Sequence, residues 1–144
     1  MQSRSMGGSL PGVQSVASII LVAIGGALGA AARFWLSGLV GRRIGETFPW
    51  GTLAVNVSGT GMAGFAAGSL GFPGPGSSPS MLWLALVTGV LGSYTTVSSF
   101  SLQTLNLLRV GERRHAVGNI TASLVLCLVA AASGFALALV VIGD

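Results

Sequence analysis

Residues 47–108 read TFPWGTLAVNVSGTGMAGFAAGSLGFPGPGSSPSMLWLALVTGVLGSYTTVSSFSLQTLNLL, and none of them is charged. This uncharged run is too long for one membrane-spanning helix, which needs about 20 apolar residues. Its middle contains the segment Phe72-Pro73-Gly74-Pro75-Gly76-Ser77-Ser78-Pro79. Three prolines in so short a segment predict a turn, because proline cannot continue a helix. The run therefore predicts two membrane spans, at about residues 51–70 and 81–108.

Two more apolar stretches flank this run. Residues 16–40 are apolar apart from Arg33, and residues 116–143 carry no charge. Each stretch can cross about 30 Å of hydrocarbon as a helix. The sequence thus predicts an all-α membrane protein with four transmembrane helices. Residues 1–14, rich in Ser and Gly, are predicted to form a disordered tail, and residues 15–144 a single four-helix domain.

The composition excludes several classes of function. The chain is 51% hydrophobic and 7% charged, whereas soluble domains carry about 25% charged residues. A water-soluble enzyme is therefore excluded. The sequence also shows no Ser/His/Asp set, phosphate loop or metal-ligand spacing, so we expect no enzyme activity. The net charge of +4 comes from Arg residues that form no long basic face, which argues against binding to nucleic acid.

The Arg residues also predict the orientation in the membrane. One side of the predicted bundle holds five of them, and the other side holds one. The five are Arg42, Arg43, Arg109, Arg113 and Arg114, and the one is Arg4. Cytoplasmic loops carry the excess of positive charge. We therefore predict a plasma-membrane protein of bacterial type with both termini outside the cytoplasm.

Residues 92–101 form a polar segment inside the third predicted helix. They read GSYTTVSSFS, and six of the ten are Ser or Thr. Hydroxyls in membrane helices commonly bond to the preceding turn, which accounts for one or two of them. The remaining hydroxyls favour a break in the helix. Backbone carbonyls freed at bilayer depth must be buried by protein or meet a cavity or an ion, and such oxygens suit Na⁺.

Two further polar side chains lie within predicted spans. Asn56 needs a partner in hydrocarbon, so it either bonds to a neighbouring helix or lines a wet path. Arg33 either extends to the membrane surface or attracts anions to a vestibule. No predicted span contains an acidic residue, which argues against proton-coupled carriers and cation antiporters, because these usually need a carboxylate in the membrane.

Three motifs on successive helices resemble the Fluc (CrcB) fluoride channels. They are Gly25-Gly26-x-x-Gly29-Ala30-x-x-Arg33, Gly51-Thr52-x-x-Val55-Asn56-x-x-Gly59, and Thr88-Gly89-x-x-Gly92-x-x-Thr95-Thr96-x-Ser98-x-Phe100. The resemblance extends from about Gly25 to the end of the chain. It implies four helices per subunit, a break in the third helix, an antiparallel dual-topology dimer and two narrow fluoride pores. It also implies a central structural Na⁺.

The resemblance assigns roles to matching positions. The backbone carbonyls of Gly92 and Thr95 would bind Na⁺, and Arg33 would lie at the vestibule. The fluoride pore would be lined by Asn56, Thr96, Ser98, Ser99 and Phe100. The chain departs from the family at Val97, which replaces the first of two pore phenylalanines. Gln103 stands where many members have Glu, and Asn119 stands where Tyr is common.

The sequence therefore predicts a channel subunit that lowers cytoplasmic fluoride by passive efflux. One alternative is a non-conducting or accessory subunit of a heterodimeric fluoride channel, which Val97 keeps open. Another is a small four-helix exporter of organic cations, but its expected Glu is absent from the first helix. Besides fluoride and lipid, the expected partner is a second copy of the chain or a homologous subunit, because the Arg bias opposes dual insertion of one gene product.

Overall fold

A computed structural model describes residues 11–45, 47–74 and 77–142. Residues 1–10 of the predicted tail lie outside the described residues, whereas residues 11–14 belong to the first helix. The described part of the chain contains helices and no strand. Its three uninterrupted long helices are α1 (Pro11–Ile44), α2 (Trp50–Leu70) and α6 (Arg113–Ile142).

The third span, Met81–Arg109, is built from several helical pieces. It begins with α3 (Met81–Trp83), continues as a π-helical segment (Leu84–Leu91) and ends its first half with α4 (Gly92–Tyr94). Thr95 and Thr96 have extended backbone angles, and α5 (Val97–Arg109) follows them. The extended pair therefore lies inside the polar segment 92–101.

The helices have the lengths that a membrane requires. Val16–Ile44, Met81–Arg109 and Arg113–Ile142 are each long enough and apolar enough to cross a membrane. Helix α2 is less apolar because it is rich in Gly, Ser and Thr, but its 21 residues carry no charge and extend about 30 Å. The predicted four-helix, multi-pass membrane architecture is confirmed.

Glycines allow the helices to approach closely. A Cβ added to Gly25 would lie 2.6 Å from the carbonyl oxygen of Ala85 in the π-helical segment, and one on Gly89 would lie 3.1 Å from the Val22 carbonyl oxygen. Across the bundle, a Cβ on Gly64 would overlap the backbone of Ala131 in α6. Because lipid tails are as apolar as Leu, such close backbone packing is what holds membrane helices together.

The two charged connectors meet at one end of the bundle. Phe48, between α1 and α2, contacts His115 at the start of α6, with ring centroids 6.2 Å apart. Arg42 and Arg43 end α1 at this same end. Away from the connectors, large apolar side chains face outward, as expected for a surface that contacts lipid; examples are Ile19, Leu28, Phe34, Trp35, Leu124 and Val140.

Candidate functional site

Asn56 of α2 is bonded to the backbone of Thr96 in both directions. Its Nδ2 donates to the Thr96 carbonyl oxygen at 2.9 Å, and its Oδ1 accepts from the Thr96 N–H at 2.8 Å. Thr96 is extended and is the N-cap of α5, so its carbonyl begins the bonding of α5 but its N–H has no acceptor in a helix. The side-chain amide of Asn56 supplies this missing acceptor and adds a second donor to the carbonyl.

Helix α2 also contacts the residues that precede Thr96. The hydroxyls of Ser58 and Tyr94 lie 2.8 Å apart. Gly59 faces the same turn, and a Cβ there would overlap the Thr95 side chain and lie 2.9 Å from Cδ1 of Tyr94. Residues 94–96 therefore pack against one face of α2, which is formed by Asn56, Ser58 and Gly59.

Because Thr95 and Thr96 are extended, the hydrogen bonds to the backbone carbonyls of Gly92 and Thr95 differ from those of a continuous helix. In a continuous α-helix the N–H of Thr96 would bond to the carbonyl of Gly92, but here it donates to Asn56. The N–H of Ser99 would bond to the carbonyl of Thr95, but here it donates to Thr96 Oγ1 at 3.2 Å. Both carbonyl oxygens thus lose their regular α-helical donor. The described residues contain no group of three or more His, Cys, Asp or Glu that could hold a metal.

Three hydroxyls that were predicted to line a pore form one cluster. Thr96 Oγ1 lies 3.2 Å from Ser98 Oγ and donates to Ser99 Oγ at 3.2 Å. Thr96 is also the N-cap of α5, since its side chain accepts from the Ser99 N–H. The cluster is therefore fixed by the start of α5, with Thr96 buried and Ser98 exposed.

Arg33 and two members of this cluster, Thr96 and Ser99, border the same cavity. The cavity has a volume of about 230 Å³ and lies between α1, α2 and the start of α5. Its lining includes Arg33, Ser37, Thr52, Thr96 and Ser99. Among the described residues the single contact between a basic and an acidic side chain joins His115 to Glu112, so no carboxylate neutralises Arg33 there. The cavity combines a positive charge with hydroxyl donors, which is an environment that favours an anion.

A second polar cavity opens toward the connector end. It has a volume of about 470 Å³ and shares Ser37, Thr52 and Ser99 with the Arg33 cavity. Gln103 also lines it, and the Oε1 atom of Gln103 is buried without a hydrogen-bond partner among the described residues. The linings of the two cavities together extend from the connector end to Thr96.

An apolar cavity lies on the other side of Thr96. It has a volume of about 570 Å³, and Asn56, Thr96, Val97 and Phe100 form its α2 and α5 walls. Residues of α6 close the far side, with Ile120, Ser123, Leu124, Cys127, Leu128 and Ala131 in the lining. Thr96 therefore borders the polar cavity at Arg33 and the apolar cavity at Phe100.

The structure brings together most of the residues that were predicted as pore and vestibule. The apolar cavity is bordered by Asn56, Thr96 and Phe100, and the polar cavity by Arg33, Thr96 and Ser99, whereas Ser98 lines neither. Sequence reasoning missed Ser37, which lines both polar cavities, and it missed the bond from Tyr94 to Ser58. A hydroxyl inside an otherwise apolar helix was the available signal for Ser37.

The fold and these cavities define a small, multi-pass helical membrane protein with a polar interior. The family model of CrcB-like protein, Camphor Resistance (CrcB), matches residues 20–135. The chain belongs to this CrcB family, as its motifs predicted.

Curated relatives support the same assignment. The chain is 57% identical over 130 residues to fluoride-specific ion channel FluC 2 of Rhodopseudomonas palustris (strain BisB18), covering 85% of this chain and 94% of the relative. It is 50% identical over 133 residues to fluoride-specific ion channel FluC 2 of Bradyrhizobium diazoefficiens, covering 92% and 95%. It is 55% identical over 111 residues to fluoride-specific ion channel FluC of Opitutus terrae, covering 77% and 84%.

Proposed function

We propose that this chain is a subunit of a fluoride channel in the bacterial plasma membrane. The relatives named above are fluoride-specific ion channels. The observation that carries the proposal is the position of Thr96, which borders a cavity containing Arg33 and a cavity containing Phe100. Fluoride would pass down its electrochemical gradient, and its efflux would lower the cytoplasmic fluoride concentration. The function is transport and not catalysis.

The cavity that contains Arg33 would form the polar side of the fluoride path, and it supplies hydrogen-bond donors without a fixed negative charge. Arg33 raises the local anion concentration. The hydroxyls of Thr96, Ser98 and Ser99 can then replace part of the hydration shell of a small anion. Selectivity over chloride would come from the width of the path and its hydrogen-bond donors.

The apolar cavity would form the other side of the fluoride path, and Phe100 supplies its aromatic side chain. The edge of a phenyl ring carries partial positive charge, so a ring edge can face an anion. The neighbouring Val97 lacks this property, and its side chain is 77% exposed. A pore that contains Val97 would therefore conduct less well than one with two phenylalanines. This observation favours a second candidate function, an accessory or non-conducting subunit in a heterodimeric channel.

A structural Na⁺ fits the backbone of this site. The carbonyls of Gly92 and Thr95 have lost their regular helical donors, because the N–H groups of Thr96 and Ser99 bond to side chains. Na⁺ accepts neutral oxygen ligands, so these two carbonyls are the groups that would hold it. Gly92 is exposed on the subunit surface, which lets a second subunit add ligands. The ion would supply positive charge that stabilises the freed carbonyls.

The subunit would function in an antiparallel dimer. The partner is a second copy of this chain or a homologous subunit inserted in the opposite direction. The Arg residues at the connector end favour the homologous subunit, because one chain with a strong charge bias inserts in one orientation. That partner would carry the intact phenylalanine pair.

Fluoride efflux from proteoliposomes tests the function. The purified chain should release fluoride, and the Phe100→Ile variant should release it more slowly. His115→Gln is the control, because His115 lies in the first turn of α6 and outside the cavities that contain Thr96. If the chain alone releases no fluoride but does so when reconstituted with a neighbouring homologue, the accessory role is correct. No release in either preparation would contradict both candidate functions.

A further inference from the structure

A chain of two hydrogen bonds joins α5 and α6 inside the protein. Asn119 of α6 is 2% exposed, and its Nδ2 donates to Thr104 Oγ1 at 2.8 Å. The buried Thr104 hydroxyl in turn donates to the carbonyl oxygen of Phe100 at 2.8 Å. Because the Thr104 hydroxyl both accepts and donates, its direction is fixed. The side chain of Asn119 is thereby connected to the backbone of Phe100.

Phe100 needs support from outside its own helix. It lies in the first turn of α5, which follows the extended residue Thr96 and so has no continuous helix before it. The Thr96 side chain holds the Ser99 N–H at the start of this turn. One turn later, the Thr104 hydroxyl donates a hydrogen bond to the Phe100 carbonyl. Asn119, on the facing helix α6, donates a hydrogen bond to that hydroxyl.

The hydrogen-bond chain also lies at one end of the apolar cavity. Ile120 follows Asn119 directly and lines the cavity on the α6 side, whereas Phe100 lines it on the α5 side. Asn119 and Thr104 thus join the two helices next to the place where the cavity separates them. A change in either side chain acts on the distance between these two walls.

We propose that Asn119 is a positioning residue that acts through Thr104 to set the location of Phe100 and the width of the apolar cavity. The proposal rests on the proposed function, in which Phe100 borders the fluoride path. A role in helix packing alone predicts only a loss of stability when the bonds are removed. A positioning role predicts in addition a change in cavity geometry and in the fluoride rate.

The chain contains a natural reporter of this geometry. Cys127 is the single cysteine of the sequence, is a free thiol and lines the same cavity on α6. The rate at which N-ethylmaleimide modifies Cys127 therefore measures access to the cavity. This rate can be measured on the full-length chain without introducing another cysteine.

The experiment compares four single variants and one double variant in proteoliposomes. Thr104→Val keeps the side-chain shape without the hydroxyl, Thr104→Ser keeps the hydroxyl, and Asn119→Leu removes the donor. Ser69→Ala is the matched control, because the exposed Ser69 hydroxyl also bonds to the carbonyl four residues earlier. Thr104→Val and Asn119→Leu should each lower fluoride efflux by about three- to tenfold, the factor that corresponds to one lost hydrogen bond. Both should also change the Cys127 modification rate.

Two further results distinguish this proposal from a role in packing alone: the hydroxyl-retaining variant should keep its function, and the effects of the two substitutions should not add. Thr104→Ser should retain both rates, and the double variant Thr104→Val/Asn119→Leu should be no slower than either single variant, because both belong to one chain of bonds. If Thr104→Val lowers thermal stability but leaves fluoride efflux and Cys127 modification unchanged, the proposal is wrong. Should Asn119→Leu fail to fold, the Thr104→Val and Thr104→Ser pair decides the question. If the unmodified chain releases no fluoride either alone or when reconstituted with a neighbouring homologue, the proposed function fails, and an unchanged Cys127 rate in Thr104→Val would overturn the positioning role separately.

Discussion

Asn56 and Thr96 form a reciprocal pair of hydrogen bonds between α2 and the start of α5, at 2.9 and 2.8 Å. The amide of Asn56 therefore completes the backbone of the third span at the position where that span is extended. Asn56 also borders the apolar cavity. The Asn56 side chain thus stabilises the backbone at Thr96 and also lies where it can face an anion.

Replacing Asn56 by Leu should destabilise the protein and slow fluoride efflux. The substitution leaves the N–H of Thr96 without an acceptor and removes the second donor to its carbonyl, and an unpaired buried group costs about 1–3 kcal/mol. Thermal unfolding in detergent and fluoride efflux from proteoliposomes measure the two effects. Asn106→Leu is the control, because Asn106 is exposed near the end of α5. Equal stability and equal efflux in Asn56→Leu and the unmodified chain would contradict the role of this pair.

Two glycines on α2 should differ in their tolerance of a methyl group. In Gly59→Ala the added Cβ would overlap the Thr95 side chain and crowd Tyr94. We expect a loss of about 1–3 kcal/mol in the free energy of unfolding, as is typical of overpacking. In Gly61→Ala the nearest atom would be the Ala130 carbonyl oxygen at 3.6 Å, an ordinary contact.

Gly61→Ala should therefore be neutral or stabilise the helix slightly, because Ala has the higher helix propensity. Thermal unfolding of both variants in the same detergent checks the difference. Similar melting temperatures for the two variants would show that α2 does not hold residues 94–96 closely.

The sequence predicted the four helices because apolar length and proline turns act locally. The charge-free run at residues 47–108 and its Pro-rich centre were sufficient to separate α2 from the third span. The motifs also indicated which residues meet, since Asn56, Thr96 and Phe100 share a cavity. The functional roles of these residues stay predictions.

The bonding partners could not be predicted in the same way. Asn56 was equally compatible with a bond to a neighbouring helix and with a wet path, and only the relative position of α2 and α5 provides its bond to Thr96. Asn119 stands where Tyr is common in the family. Its bond to Thr104 depends on the register of α5 and α6, which no local pattern encodes.

Introducing phenylalanine at position 97 should accelerate fluoride efflux. The Val97 side chain is 77% exposed and borders the apolar cavity, so a larger ring fits without displacing the core. Edge-to-face contacts between aromatic rings are worth about 0.5–1.5 kcal/mol, and an effect of this size on the barrier corresponds to about a two- to tenfold higher rate. Val110→Phe is the control, since Val110 is exposed in the connector. An efflux rate in Val97→Phe that is no higher than in Val110→Phe would show that position 97 does not face the fluoride path.

The Arg residues at the connector end should fix the orientation of the chain. Arg42 and Arg43 end α1, and Arg109, Arg113 and Arg114 surround the turn between α5 and α6. Positive charge stays on the cytoplasmic side, so nearly every copy should insert with both termini outside. Protease accessibility of a C-terminal tag in spheroplasts measures this orientation. The double variant Arg113→Ser/Arg114→Ser weakens the bias and should give a mixed population, whereas Arg4→Ser should keep the single orientation. A mixed population of the unmodified chain would instead support a dimer of two identical copies, because both orientations would then be present for an antiparallel pair.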